Sequence, residues 1–204
     1  MRPRKNSFLL ALLSFFLLTC GCKGAGGKTA DVLWPSLSGP YVEVARDWTR
    51  KAAVYSGIDT ELTAVATLKS WEWRRAFTER YAEAYSLSAR EAEKFLEDQK
   101  RAHAGSTEIV LSLSSPKPGH VRLKLKDPLW SVFVTQGEKK IYPLEIRPME
   151  KDLWPASRLE VFFPDFKPWQ KFYSLRFASL PDGTITLVVS GPAGRVEFFW
   201  ERYA

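Results

Sequence analysis

The chain has 204 residues, enough for one domain of ordinary size and too few for a comfortable two. It is 45% hydrophobic and 26% charged, which supports a buried core and excludes a disordered tail. Lysine and arginine exceed aspartate and glutamate by 30 to 23, but Arg2, Arg4 and Lys5 open the chain, so the rest is weakly basic and nucleic acid is not expected as a partner. Two cysteines, Cys20 and Cys22, and two histidines, His103 and His120, leave little material for a metal cage or a disulfide framework. Neither a metal nor a cofactor is expected.

Met1–Asn6 is short and basic, and Phe8–Leu18 is an unbroken apolar-plus-serine run. Such a run spans roughly 16 Å as a helix, about half a bilayer core, which suits a signal peptide over residues 1–21 and not a membrane span. Leu18-Thr19-Cys20-Gly21-Cys22 follows. This stretch resembles a bacterial lipobox, the cleavage and acylation site of type II signal peptides. The resemblance implies lipidation at Cys22, because Gly21 supplies the small residue required before the acylated cysteine. Cys20, preceded by Thr19, is the runner-up, since Thr19 also stands where Leu is usual for Cys22. No cysteine follows Cys22, so the body has no use for these two in disulfides. Lys23 rather than Asp after Cys22 resembles outer-membrane sorting, and the implied location is the cell envelope, facing the periplasm. Residues 22–31 read as a tether with an r.m.s. reach of roughly 16 Å, and 32–204 as one domain.

Within that domain, Tyr41, Val44/Ala45, Trp48, Ala52 and Tyr55 fit a helical stripe. Thr60–Leu68 alternates as a strand, and Ser56-Gly57-Ile58-Asp59 looks like a hairpin turn, so Asp47–Tyr55 is read as its pairing strand. Ser70 caps a predicted helix over Trp71–Tyr85 with the stripe Trp73, Ala76, Phe77, Tyr81, Ala84. Ser88-Ala89-Arg90-Glu91 is a capping box that opens a second helix to about Ala104, with Ala92, Phe95, Leu96 and Gln99 on one face. Strands are predicted over Glu108–Ser114, Val121–Lys126, Trp130–Thr135, Lys140–Ile146, Arg158–Phe163, Phe172–Ala178, Thr184–Ser190 and Arg195–Glu201, separated by Gly and Pro turns. The expected class is mainly β (α+β), an antiparallel β-sandwich with an αα-hairpin inserted at about 70–104.

Catalytic patterns are sparse. No Gly-x-Ser-x-Gly, P-loop, Gly-x-Gly-x-x-Gly or His-x-x-x-His occurs. His103 ends a helix, where a cation suits the dipole, and His120 lies in a Lys-Pro-Gly-His turn. Glu79/Glu83 and Glu93/Glu97 are spaced for one helix face, but among arginines and lysines they read as solvated ion pairs. The unusual feature is aromatic density, with eight Trp and seven Tyr. The segment Phe163–Tyr173 is rich in proline, lysine and rings, and Phe166, Lys167, Trp169, Lys171 and Tyr173 form a candidate binding patch on a loop or edge. Trp154-Pro155, after Lys151-Asp152-Leu153, is placed with it.

Trp48-Thr49-Arg50, then Ala66-Thr67-Leu68-Lys69-Ser70, a helical segment and a β-rich C-terminal half give the body a style similar to uncharacterised lipoproteins of Gram-negative envelopes. That resemblance names no activity and supplies no catalytic residue. The expected role is a non-enzymatic, lipid-anchored envelope module that binds or scaffolds a protein, glycan or lipid. Two alternatives stand beside it: a carrier or chaperone for an apolar ligand held between sheet and helical hairpin, and a carboxylate-dependent envelope hydrolase.

Overall fold

A computed structural model describes residues 39–126, 129–149, 154–165, 167 and 169–202. The expected signal peptide and tether with Cys20 and Cys22, as well as Lys151–Leu153 and Phe166, lie outside the described residues. The protein is a mainly β, α+β chain with two antiparallel sheets and a helical layer. Helix α1 (Pro40–Asp47) leads into the hairpin β1 (Thr49–Ser56) and β2 (Asp59–Leu68), then α2 (Trp71–Ala84) and α3 (Ala89–Gly105). Seven strands follow: β3 (Ser106–Ser114), β4 (Ser131–Gln136), β5 (Lys139–Ile141), β6 (Glu145–Pro148), β7 (Lys171–Ala178), β8 (Gly183–Gly191) and β9 (Gly194–Arg202). Helix α4 (Ala156–Phe162) sits between β6 and β7.

Strand order is β1-β2-β3-β7-β6 in one sheet and β5-β4-β8-β9 in the other. Their facing sides form one core in which Leu62, Ala66, Leu111, Leu113, Leu175, Phe177, Val134, Leu187 and Phe198 are essentially sealed from water. Burying such a side chain contributes about 1.5–3 kcal/mol. Along one edge β9 comes against β1: Trp200 Nε1 donates to Trp48 O (3.0 Å) and Arg50 Nε to Phe199 O (3.0 Å). The turn between β8 and β9 is equally close. Gly194 has φ 119°, and a Cβ there would stand 2.8 Å from Val54 Cγ1.

The five-stranded sheet is covered on its other face too. Val110 and Phe172 point away from the inter-sheet core and join Tyr41, Val42, Ala45, Trp73, Phe77, Leu159, Phe162 and Phe163 in a second cluster under α1, α2 and α4. The predicted caps hold: Ser70 Oγ accepts from Trp73 N–H, and Ser88 with Glu91 forms the reciprocal box. Among the described residues no helix is long and apolar enough to cross a membrane.

The expected pairing strand over Asp47–Tyr55 is present as β1, paired with β2, and the start of the helical stripe, from Tyr41 to Ala45, is a true helix, α1, which stops at Asp47. Three local expectations are corrected. Arg158–Phe163 is not a strand; Leu159, Phe162 and Phe163 are buried at helical spacing in and just after α4, which starts behind Pro155. Lys140–Ile146 is not one strand, because Pro143 interrupts it. Its first part pairs with β4 and its last with β7, in the other sheet. Val121–Lys126 keeps its in-out alternation at Val121, Arg122, Leu123 and Lys124, yet joins no ladder. A side chain takes the place of the neighbouring strand there. Tyr173 Oη donates to Val121 O (2.5 Å) and accepts from Leu123 N–H (3.2 Å).

Candidate functional site

The register of the five-stranded sheet builds the floor of a groove. On its helix-facing side Glu108 of β3, Arg176 of β7 and Glu145 of β6 stand in one row, paired across the ladder. The next row is Val110, Ser174 and Arg147, and the third holds Ser112, Phe172 and Met149, whose N–H donates to Phe172 O. Charge therefore occupies one end of the floor and apolar side chains the other.

Helices and a loop supply the walls. Trp73, Phe77 and Tyr81 come from one stripe of α2, because positions three and four apart share a face. Phe95 of α3 stacks on Tyr81 at 4.6 Å, and Trp154 and Phe163 flank α4, edge to face at 6.0 Å. The partly open space between them is about 480 Å³ and is lined by these rings together with Met149, Pro148 and the charged row. That size lies within the range of small-molecule sites, roughly 300–1,000 Å³. Helix α3 explains why the space stays open. It has no buried residue, and its apolar stripe of Ala92, Phe95, Leu96 and Gln99 is only half covered. Trp73 is 1% exposed, yet its indole N–H has no hydrogen-bond partner among the described residues.

At the charged end each carboxylate is shared by two cations. Glu108 Oε2 accepts from Lys69 Nζ (2.8 Å) and lies 3.3 Å from Arg74 Nη2. Arg74 is almost fully buried; its Nη1 donates to Gln99 Oε1 (2.8 Å) and its Nε to Lys69 O (3.2 Å), which ties α2, α3 and β3 together. Glu145 accepts from Arg147 Nε and from Arg176 Nε, both at 3.1 Å, and these three are more exposed. Burial pushes Lys69 below the usual ammonium range; Glu108 pulls it back, while Arg74 and Arg147 depress it further. Burial pushes the Glu108 carboxyl up, but Lys69 and Arg74 outweigh it and the group sits below the usual carboxylate range. Hydrogen bonds from Arg147 and Arg176 also hold Glu145 low.

At the other end Arg158 stands over three rings, with its guanidinium carbon 4.9 Å from the Trp154 centroid, 5.3 Å from Tyr85 and 5.6 Å from Tyr81. Its Nη2 donates to Tyr81 Oη (3.0 Å). Among the described residues, four cations and two carboxylates line the groove itself, with Arg74 behind them. No protein-family model and no curated protein matches this chain.

The residues singled out in the sequence fall elsewhere. Lys167 and Lys171 are exposed and Trp169 is 69% exposed, but Tyr173 is a core residue of β7, buried between the two sheets. Trp154 stands beside Phe163, the first residue of that segment, edge to face at 6.0 Å, and is a wall of the groove. Glu79, Glu83, Glu93 and Glu97 lie on solvated helix faces, Glu83 with Arg80 and Glu97 near Lys100. His103 rests against Trp71 at the end of α3, and burial beside Arg74 and Arg202 lowers its affinity for a proton. Sequence reading missed Lys69, Arg74, Glu108, Arg147, Arg158 and Arg176. The available signal was Arg74 beside Trp73 on a buried helix face, and Glu108 and Arg176 alternating with core residues on strands covered on both sides.

Proposed function

We propose that this chain is a non-enzymatic binding protein of the cell envelope, tethered through acylated Cys22, that carries an apolar ligand in the groove between the helical hairpin and the five-stranded sheet. The observation that carries the reading is the contrast between a closed inter-sheet core and about 480 Å³ of aromatic-walled space beside it. A protein free to bury its rings would close that space; here α3 stands over it with no residue buried.

The hydrolase alternative fits the site less well. Carboxylate hydrolysis needs one carboxyl held protonated as a general acid, its proton affinity raised by its surroundings. Glu108 and Glu145 are both pushed the other way.

The test is native mass spectrometry of the full chain after gentle extraction, beside a Phe95→Arg variant. Phe95 is half-buried, so the substitution places a long cation in the groove without opening the inter-sheet core. A discrete extra mass on the wild type that is absent from the variant supports the carrier reading. A bare chain in both preparations overturns it. The anchor is checked separately with Cys22→Ala, which should lose lipid mass and membrane association together.

A further inference from the structure

We infer that the edge of the sandwich opposite the β1–β9 closure is a membrane-docking surface, where exposed leucines and a tyrosine rimmed by lysines enter the headgroup region of an anionic bilayer. The inference takes only the nearness of a bilayer from the anchored-carrier reading, and adds to it the side of the domain that faces the lipid.

Three observations carry the inference. The first is clustering. Nine large apolar side chains are exposed among the described residues, and four of them lie together: Leu125 and Leu129 before β4, and Tyr142 and Leu144 between β5 and β6. Leu125, Leu129 and Tyr142 share one open cleft of about 510 Å³, and Leu144 follows across Pro143. Exposed apolar residues scattered singly are ordinary on a protein surface; a contiguous group marks a contact. The second is position. Where β9 meets β1 the two sheets are stitched together, but on the other side β5 and β6 are both edge strands, and the chain crosses between the sheets through Tyr142-Pro143-Leu144. Pro143 is buried, so its two neighbours turn outward. Leu125 has the inward parity of Val121 and Leu123, yet it is 49% exposed. Solvation alone selects polar side chains at such positions. The third is the rim. Lys124 and Lys126 are exposed and line the cleft, and Lys140 stands 5.1 Å over the Phe133 ring, against which Tyr142 packs at 5.8 Å. Counted along the sequence, residues 122–144 hold five cations and two carboxylates, so the sign of the region is positive whatever its local pairing. Lysine stems lie along apolar surface while their ammonium groups reach lipid phosphates, and tyrosine rings sit at the same depth. Cations beside inserted apolar side chains favour an anionic surface over a neutral one. The crossing stretch leads directly into β6, whose Glu145 and Arg147 line the groove, so docking here brings the groove's rim to the bilayer.

The experiment is photolabelling of the full chain, extracted from its own membranes and incorporated into vesicles, by a phospholipid with a diazirine in its acyl chain. Vesicles of phosphatidylcholine alone are compared with an equal mixture of phosphatidylcholine and phosphatidylglycerol. In the mixture, peptides carrying Leu125, Leu129, Tyr142 and Leu144 should be labelled at least 10-fold more than those carrying Ile58 and Phe199, which are exposed apolar residues elsewhere. A Leu125→Ser, Leu129→Ser double variant alters only exposed side chains and should lower labelling at Tyr142 and Leu144 at least 5-fold. A Lys124→Gln, Lys126→Gln variant should bring labelling in the mixture to within about 2-fold of that in phosphatidylcholine. Labelling of these peptides no stronger than at Ile58 and Phe199 overturns the docking surface and leaves the carrier reading, which ligand mass tests, standing. Labelling indifferent to phosphatidylglycerol and to both lysines overturns the preference for an anionic bilayer. An unlabelled surface on a chain that runs as a dimer, and as a monomer once Leu125 and Leu129 are replaced, gives the surface to a second copy and overturns the inference.

Discussion

The five-stranded sheet has two faces, and they are built to opposite rules. Toward the other sheet it offers Leu62, Ala64, Ala66, Ile109, Leu111, Leu113 and Leu175, all essentially sealed, meeting Leu187, Val189 and Phe198 from across the sandwich. Toward the helices it offers Glu108, Val110, Ser112, Phe172, Ser174 and Arg176, roofed by large rings and a buried arginine. Aliphatic side chains of similar size fill a slot between two sheets with few gaps. Flat rings on helices joined by a short turn meet stacked or tilted, as Phe95 does on Tyr81 and Phe77, and leave space beside them under α3. The first face holds the fold; the second has the polarity and the volume of a site. One sheet does both, because its period of two sends alternate residues to different layers.

That contrast can be broken from either side. Phe198→Ala, in the sealed core, should cost about 4 kcal/mol of stability by chemical denaturation and leave labelling of the groove by a diazirine-bearing hexadecanoic acid unchanged in the folded fraction. Arg74→Ala should cost about 3 kcal/mol, since it strips one partner from a buried carboxylate and unties α2 from α3. Unlike the core substitution it should also reduce labelling, and loss of stability with intact labelling would put Arg74 on the structural side alone. Phe95→Ala should cost only about 1 kcal/mol, as a half-buried ring on a helix with no buried residue, yet remove most labelling of α3. Trp169→Ala, in the exposed strip, should move stability by less than about 0.5 kcal/mol and labelling not at all. Loss of a cross-linked envelope protein in that variant would instead give the strip a scaffolding role.

Acid sharpens the same comparison. Glu108 has a lowered proton affinity in the folded chain, so the unfolded chain binds the proton more tightly. Its contribution is fully present above the unfolded value, about 4.3, and is lost as pH falls through the lower native one. Glu108→Gln should therefore flatten the acid limb of a stability-against-pH curve.

Much of the frame was legible in the residues. Both caps on the helical hairpin, the β1–β2 turn at Gly57-Ile58 and the last two strands follow from local rules that burial does not overrule. What stayed hidden depended on partners distant in sequence. Val121–Lys126 alternates like a strand because Val121 and Leu123 face the core, but its hydrogen bonds go to Tyr173, some fifty residues on. Tyr173 looked like part of an aromatic strip for the same reason: its hydroxyl partner lies in another segment. The groove was legible only as a possibility of the architecture, a space between sheet and hairpin. Its charged row needs the pairing of β3, β7 and β6, which no short window contains.

The most direct test is amide hydrogen exchange on the full chain, compared before and after adding dodecanoate. If the helical layer is an open site and the sandwich a closed scaffold, α3 and the Trp154–Phe162 segment should exchange fast without ligand and slow at least 10-fold with it, while β3 and β8 stay unchanged. Exchange in α3 that is already as slow as in β3, or that ignores dodecanoate, would contradict the account.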